Sequence, residues 1–229
     1  MITYAAIGDS LTEGSVSYPW LKSLESILDK KYKVLNFGKN SYTTENYIKE
    51  LLFSVIDAKP NFITLLLGLN DVNGSIRYPN SPNFKPPQFQ KNLNFIIKTL
   101  KEKTSAKIAI MSLPPIGEDI NSLAFKQSQK YNQIIANIAK QQAIYYLPVS
   151  EILLHNLLYA SPNRPKSKFT YKHWVLSMVN SIARHLFFKQ DYKKISQDAG
   201  MLEHADLLHL NQSAEYIAGL VYGFLLSQN

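Results

Sequence analysis

The chain alternates five short apolar runs with segments of helical period, and this alternation restricts its fold more than any other feature. Between the runs, apolar residues recur at spacings of three and four, as they do along one face of an amphipathic helix. The runs themselves have the length and the β-branched and aromatic content of buried strands. The predicted strands are Ile2–Ile7, Lys33–Phe37, Phe62–Leu67, Lys107–Met111 and Ala143–Leu147. Since helical crossovers join parallel strands, the pattern predicts an α/β protein with a five-stranded parallel sheet between two helical layers.

The length of the chain, 229 residues, suits a single domain with one sizeable core. Two stretches break the alternation: the proline-rich loop Tyr78–Pro87 and a longer segment between the fifth predicted strand and Asp206. The longer one bears on the domain organisation. This segment contains a helical pattern that places four apolar residues, at a spacing of four, along one face of a helix: Trp174, Met178, Ile182 and Leu186. This stretch is too short to bury a core of its own. We therefore predict one domain over residues 1–229 with a helical insertion at about 150–203.

The composition excludes several classes of protein. No cysteine is present, which rules out a disulfide-stapled scaffold, a Cys-ligated zinc site and a cysteine nucleophile. Lysine and arginine number 25 against 17 acidic residues, so the formal net charge is +8. Such an excess can attract nucleic acid or an anionic membrane, but here the basic residues are scattered along the chain. We expect no nucleic-acid partner and at most a weak contact with an anionic membrane.

The sequence does not assign a cell compartment. Met1 leads directly into the apolar run Ile2–Ile7, which is too short for a signal peptide and lacks its basic start. No window reaches the ~18 unbroken apolar residues of a membrane-spanning helix. The expected location is cytoplasmic if this N-terminus is native, and the protein is exported if a leader has been removed.

Three candidate site residues follow the first three predicted strands. Ser10 lies in the block Gly8–Leu11, Gly38 ends the second strand, and Asn70 lies in the block Gly68–Asp71. A serine at a turn from strand to helix can present its hydroxyl to a ligand, and an amide side chain can donate to an oxyanion. Each residue alone also fits an ordinary role as a helix cap or turn former. Their coincidence at three successive strand ends favours a shared site.

A carboxylate and a histidine stand three residues apart near the C-terminus, as Asp206 and His209. On one helical turn they would face the same way, so that the carboxylate could orient the imidazole and stabilise its charged form. The spacing alone is a weak pattern, and His204 is the one competitor for the role of a base. We expect no metal site, because the sequence has no His-Glu-x-x-His motif and the two histidines are five residues apart.

Together, these four blocks resemble the GDSL, or SGNH, serine hydrolases. The resemblance runs from residue 8 to residue 209 and implies a flavodoxin-like three-layer α/β/α fold and hydrolysis of carboxylic esters. By the family pattern, Ser10 is the nucleophile, His209 the base and Asp206 its orienting acid. The oxyanion hole would comprise the backbone N–H groups of Ser10 and Gly38 and the side-chain amide of Asn70. No metal or organic cofactor is implied.

The implied reaction passes through an acyl-enzyme. His209 takes the proton of Ser10, the serine oxygen attacks the ester carbonyl, and water later cleaves the acyl-enzyme with the same histidine as base. Two neighbouring carboxylates, Asp9 and Asp71, are expected to accept hydrogen bonds from loop amides and to take no part in the chemistry.

The predicted insertion bears on the substrate, which is expected to be a small-molecule or lipid ester. Its apolar residues, with Trp174 and Met178 as a possible substrate lid, favour acyl or lysophospholipid esters. The alternative is that these side chains only pack the added helix onto the core. A carbohydrate-ester deacetylase and a non-catalytic binding module on the same fold also remain open. A mild departure from the family pattern, Ala214 in place of a common glycine, leaves the chemistry intact.

Overall fold

Five parallel strands form one sheet in the computed structural model, which describes residues 1–160 and 169–228. Their order is β2-β1-β3-β4-β5, and every neighbouring pair is parallel. This is the flavodoxin-like order, so the predicted fold class is confirmed. The strands are β1 (Ile2–Gly8), β2 (Tyr32–Gly38), β3 (Phe62–Leu66), β4 (Lys107–Met111) and β5 (Tyr145–Leu147).

Eleven α-helices in the described part of the chain cover the sheet. They are α1 (Ser10–Glu13), α2 (Trp20–Ile27), α3 (Thr44–Glu50), α4 (Leu52–Asp57), α5 (Leu69–Arg77), α6 (Pro86–Lys103), α7 (Leu123–Gln142), α8 (Val149–Tyr159), α9 (Tyr171–Phe188), α10 (Tyr192–Asp198) and α11 (Glu215–Leu226). Helices α2, α8 and α11 pack together as one layer, and α3 to α7 pack together as the other. Within the described ranges, no helix has both the length and the apolar composition needed to cross a bilayer.

The position of each strand in the sheet explains its sequence. All five residues of β3 are buried, because this central strand has a neighbour on both edges and helices on both faces. The edge strand β2 is only half-buried. The fifth strand begins at Tyr145, two residues later than predicted, because Ala143 ends α7 in a left-handed conformation with φ 51°. Ala143, the first residue of the predicted strand, is therefore the C-cap of a helix.

The strand order reverses between β1 and β3, which creates a crevice at their carboxyl ends. The chain leaves β1 toward β2 on one side, while β3 pairs with β1 on the other. At this edge Gly8 pairs with Gly38 of β2 and with Leu66 of β3. Residues that follow the first three strands therefore meet at one place, where ligands bind in open α/β sheets.

The described residues between β5 and residue 203 form three helices, α8 to α10. The predicted helical pattern is present as α9, whose first turn is capped by the hydroxyl of Thr170. The stripe drawn from Trp174 to Leu186 does not lie on one face, because Leu186 is 54% exposed while Trp174 packs against the core. Steps of four residues advance about 40° around a helix, so the stripe winds away from the core. The role of residues 150–203 as an insertion stays a prediction.

Candidate active site

Ser10 is the first residue of α1 and follows β1 with only Asp9 between them. Asp9 caps the short helix, and its Oδ1 accepts a hydrogen bond from the Leu11 N–H at 3.1 Å. The helix ends at Gly14, which has a left-handed backbone with φ 78°. This local turn holds the Ser10 hydroxyl at the carboxyl end of the sheet, where its side chain is almost buried at 6% exposure.

His209 reaches the Ser10 hydroxyl from the far end of the chain. The distance from Ser10 Oγ to His209 Nε2 is 2.9 Å, and that from His209 Nδ1 to Asp206 Oδ2 is 2.7 Å. A carboxylate accepts, so Nδ1 carries the proton and Nε2 keeps the lone pair that can take a proton from Ser10. The structure therefore brings together Ser10, His209 and Asp206, the three residues to which the family resemblance gave a catalytic role.

The segment that carries Asp206 and His209 is a loop, where the sequence analysis expected one helical turn. Leu207 between them has a left-handed backbone with φ 79°. The other oxygen of the carboxylate, Asp206 Oδ1, accepts from the N–H groups of Leu208 at 3.0 Å and His209 at 2.8 Å. Short polar side chains hold the backbone in this way in competition with a helix. Asp206 and His209 therefore face each other because Asp206 caps a turn of the backbone, and not because they share a helical turn.

Two carboxylates raise the pKa of His209. Burial on its own lowers this pKa, but the charge and hydrogen bond of Asp206 and the charge of Asp9 outweigh burial, so the pKa lies above its ordinary value. Burial also raises the pKa of Asp9 to about 6, against the opposing effects of the Leu11 N–H and the His209 charge. Asp9 is therefore an acceptor for loop amides, as predicted, and also part of the field around the base.

Asn70 lies in the first turn of α5, directly beyond β3. One hydrogen of its side-chain amide is donated to the Tyr42 carbonyl at 3.0 Å, which leaves the second hydrogen for a ligand. The next residue, Asp71, accepts at 2.9 Å from the N–H of Thr44 and at 2.6 Å from its hydroxyl. Asp71 thus ties the start of α3 to α5, as predicted, and burial raises its pKa to about 7.

Gly38 has a packing role that differs from the one predicted. Its N–H donates to Asn36 Oδ1 at 2.8 Å, so in this structure that N–H is not free to bind an oxyanion. A Cβ at this position would come within 2.3 Å of the Glu13 backbone nitrogen. Glycine is needed here because β2 and α1 approach each other closely. The contact fixes the helix that begins with Ser10.

Ser41, in the loop after β2, was not singled out in the sequence analysis. It has a left-handed backbone with φ 64°, which is uncommon for a residue other than glycine. The residue that follows it, Tyr42, is the one whose carbonyl accepts from Asn70. A lone serine between polar residues gives no sequence signal for such a backbone.

His204 is not available as the base. Its Nε2 lies 2.9 Å from the carbonyl oxygen of Pro115, and its Nδ1 lies 3.1 Å from Glu118 Oε1. The carbonyl can only accept, and Glu118 Oε1 already accepts from the N–H of Glu203 at 2.7 Å. Both ring nitrogens of His204 are therefore engaged by these two oxygens. Of the two histidines, it is His209 that lies within hydrogen-bond distance of Ser10 Oγ.

Glu118 is a functional residue that the sequence analysis missed. Its buried carboxylate accepts from the consecutive backbone N–H groups of Leu202, Glu203 and His204. The neighbouring Gly117 N–H donates to the Leu207 carbonyl at 2.7 Å. Residues 202–210, which carry Asp206 and His209, are named the catalytic loop. Gly117 and Glu118, in the loop after β4, thus hold the catalytic loop in place.

With the geometry established, the sequence comparison is decisive. The GDSL-like lipase/acylhydrolase family matches residues 6–176. The chain belongs to this family. The resemblance drawn from the four blocks is thereby confirmed, and with it the predicted class of enzyme, a carboxylic ester hydrolase, at the level of the family. The match ends before Asp206 and His209, so their assignment to the site rests on the distances above.

A curated relative and several solved structures are similar to this chain. YqeF of Bacillus subtilis (strain 168), named an uncharacterized lipoprotein, is 30% identical over 121 residues, which are 49% of each protein. The chain thus spans about half the length of that relative. The acetyl xylan esterase AlAXEase has a TM-score of 0.69 at 15% identity, covering 98% of this chain and 100% of the esterase.

Two further structures show the same fold. LAE5, an alpha/beta hydrolase enzyme from the metagenome of Lake Arreo in Spain, has a TM-score of 0.71 at 13% identity, with coverage of 100% of this chain and 96% of its own. A catalytic mutant of Axe2, an acetylxylan esterase from Geobacillus stearothermophilus, has a TM-score of 0.69 at 15% identity, with coverage of 96% and 92%. At such identities the likeness concerns the fold alone.

No group of three or more His, Cys, Asp or Glu side chains in residues 1–160 and 169–228 is placed to hold a metal ion. The polar groups at the site are instead a hydroxyl, an imidazole, a carboxylate and an amide, held by hydrogen bonds. Such a set suits nucleophilic acyl transfer.

Replacing Asp9 with Asn should move the acid limb of the pH profile to lower pH. The limb follows deprotonation of His209, since the base must be neutral, and kcat/KM rises as pH passes the His209 pKa. Asp9 raises that pKa through its charge, so D9N lowers it, while the amide oxygen can still cap α1. The measurement is kcat/KM for a soluble ester against pH, with the exposed Asp57→Asn as control. An acid limb at the same pH in D9N would show that the charge of Asp9 does not raise the pKa of His209.

Replacing Glu118 with Gln should weaken both the fold and the reaction. The neutral amide of E118Q has one acceptor oxygen in place of two, so buried N–H groups of residues 202–204 lose a partner, which costs about 2 kcal/mol of unfolding free energy. The catalytic loop loses its anchor, so kcat should fall more than KM rises. Denaturant unfolding and steady-state kinetics measure the two effects, with the exposed Glu102→Gln as control. Wild-type stability and kcat in E118Q would contradict the anchoring role.

Proposed function

We propose that this protein hydrolyses carboxylic esters through an acyl-enzyme formed on Ser10. The observation that carries the proposal is the continuous hydrogen-bonded line from Ser10 Oγ through His209 to Asp206, with distances of 2.9 Å and 2.7 Å. Membership of the GDSL-like lipase/acylhydrolase family supports it independently. A protein that only binds its ligand would not need this arrangement, because the buried polar groups in it orient a proton acceptor.

In the first half of the reaction, His209 Nε2 accepts the proton of Ser10 while the serine oxygen attacks the ester carbonyl. Asp206 and Asp9 stabilise the imidazolium that results, in keeping with the raised pKa of His209. The tetrahedral intermediate then collapses, and the imidazolium gives its proton to the departing alcohol. Water attacks the acyl-enzyme in the second half, with His209 again as base.

The oxyanion needs donors at the carboxyl ends of the strands. We assign two of them to the N–H of Ser10 at the start of α1 and to the free amide hydrogen of Asn70. The N–H of Gly38 can join them only if it leaves Asn36 Oδ1. Ser41, with its left-handed backbone, directly precedes Tyr42, whose carbonyl accepts from Asn70. We therefore propose the Ser41 N–H, in place of the Gly38 N–H, as the third donor.

An aromatic cluster beside the catalytic loop favours an acyl ester as substrate. The Trp174 ring lies 6.4 Å from the ring of Phe169 and 5.5 Å from that of Tyr171. Phe169 packs on Gly117, where an added Cβ would lie 3.3 Å from its own Cβ, and Gly117 bonds to Leu207 of the catalytic loop. The cluster thus stands next to the loop that carries the base, where an apolar wall can contact an acyl chain.

A carbohydrate acetate is the second candidate substrate. Ser10 and His209 are only 6% and 3% exposed, so a small acyl group reaches the hydroxyl more easily than a long one. The indole N–H of Trp174 is buried and has no hydrogen-bond partner among the described residues, so it is a spare donor for a substrate oxygen. Acetylxylan esterases of the same fold support this alternative.

Replacing Ser10 with Ala should abolish ester hydrolysis and leave the fold intact. Members of a triad act as a unit, so kcat should fall by at least ~10³. The measurement is turnover of p-nitrophenyl esters, acetylated xylan and lysophospholipid by S10A, with circular dichroism to check the fold. Ser26→Ala, which alters an exposed hydroxyl in α2, serves as the matched control. Wild-type turnover by S10A would exclude the serine mechanism.

Chain-length preference distinguishes the two substrate classes. If the cluster lines an acyl groove, Trp174→Ala and Met178→Ala spare acetate esters and weaken octanoate esters by up to ~0.8 kcal/mol for each methylene that loses contact. The measurement is the ratio of kcat/KM for octanoate to that for acetate. If these residues only pack α9 onto the core, both substrates fall alike with the melting temperature. An unchanged ratio in both variants would remove the case for a substrate lid.

A further inference from the structure

The outward side of α9 is apolar where a surface helix is normally polar. Of the residues of α9, all of which the structure describes, only Ser181 is buried. On the opposite side are Leu176, Val179, Leu186 and Phe187, which are 61%, 58%, 54% and 78% exposed. At about 100° per residue these four fall within an arc of about 100°. We call them the outer face of α9.

Another long helix of the same chain shows that this is not a general property of the protein. Beyond its first residue, α7 exposes only polar residues, Lys126, Lys130, Gln133, Asn137, Lys140 and Gln141. The last two residues of α9, in contrast, are Phe187 and Phe188, and the second is 71% exposed. A contiguous apolar surface of this kind on a soluble domain is typical of an interaction site.

The charges around the outer face are positive. Helix α9 contains no Asp or Glu, and the exposed Lys172 lies in its first turn. Lys189 and Lys193 are exposed just beyond its end. Asp198 pairs with Arg184 and Lys194, and Asp191 accepts from the Lys194 N–H and keeps its charge. From residue 172 to residue 198 the chain has five Lys or Arg residues against these two Asp residues, so the surroundings of the apolar arc carry a net positive charge.

We propose that the outer face of α9 docks on an anionic lipid surface. Leu186 and Phe187 of the outer face enter the boundary between headgroups and acyl chains, joined by Phe188, which lies outside the arc but is exposed at the end of the helix. Lys172 and Lys189 contact the anionic headgroups. Apolar residues flanked by cations are what interfacial helices use for this purpose. A second copy of the chain fits less well, because pairing two outer faces would bring their lysines together with no carboxylate on either helix.

The docking surface is connected to the active site through α10. The ring of His185 in α9 stacks on Tyr192 of α10 at a centroid distance of 4.3 Å. Tyr192 in turn packs with Ala205 of the catalytic loop. The catalytic loop therefore lies on the inner side of α9, with α10 between them, and a lipid surface held by the outer face would be one helix away from it. The proposal does not rest on ester hydrolysis, since binding can be measured without turnover.

The test is co-sedimentation with vesicles, using both the wild-type chain and Ser10→Ala. Vesicles of phosphatidylcholine alone are compared with vesicles of phosphatidylcholine and phosphatidylglycerol in equal amounts. We expect binding to the anionic vesicles, lost between about 0.1 M and about 1 M NaCl as the Debye length falls from ~10 Å to ~3 Å. The double variant F187S/F188S should bind about tenfold less, because two large apolar side chains no longer enter the lipid.

Matched controls distinguish binding through the outer face from nonspecific hydrophobic or electrostatic adsorption. L123S/F53S removes two apolar side chains that are 73% and 62% exposed elsewhere, and it should bind as wild type. K189Q/K193Q should weaken binding more than K91Q/K126Q, which removes the same charge from α6 and α7. Turnover of a short soluble ester by F187S/F188S checks that the fold is kept.

Three results would overturn the proposal. One is no sedimentation with anionic vesicles at low salt. Another is equal loss of binding in the two pairs of serine variants. The third is concentration-dependent self-association that F187S/F188S abolishes, with no vesicle binding, which would assign the face to a second copy of the chain. Failure of S10A to lose ester turnover would bear on the proposed reaction alone.

Discussion

The catalytic loop is held in place by buried carboxylates, and the site depends on that constraint. Asp206 accepts from two backbone N–H groups and from the ring of His209, and Glu118 accepts from three consecutive backbone N–H groups. A buried carboxylate is tolerable only where N–H groups replace water, so each one dictates the course of the backbone around it. The loop that carries the base therefore needs neither helix nor strand to be fixed.

The same carboxylates set the electrostatics of the reaction. Asp206 and Asp9 favour the charged form of His209, which is the form that exists while the oxyanion is present. Burial raises the pKa of Asp9 to about 6, and burial together with the charge of Asp9 raises that of Asp71 to about 7. The ionisation of Asp9 is thus coupled both to the state of the base and to that of Asp71. The pH profile reports this group of residues as a whole.

Local patterns were sufficient to predict the sheet, and the resemblance to a family singled out Ser10, Asp206 and His209, which the structure places within hydrogen-bond distance of one another. Apolar runs predict strands, and Ser10 and Asn70 follow strand ends that any parallel sheet brings together. The anchoring role of Glu118 could not be predicted, since it lies 86 residues from His204 and pairs with it only in the folded chain. The turn at Leu207 and the engaged N–H of Gly38 likewise depend on contacts between distant segments.

Helix α9 shows why periodicity alone misassigns a helix with apolar residues on both sides. A spacing of four joins Trp174 to Leu186, yet a drift of about 40° per step carries the stripe from the core side to the solvent side. Trp174 packs against the core, whereas Leu186 is 54% exposed. One helix therefore presents an inner end that contacts the loop beside the catalytic residues and an outer face that contacts the surroundings.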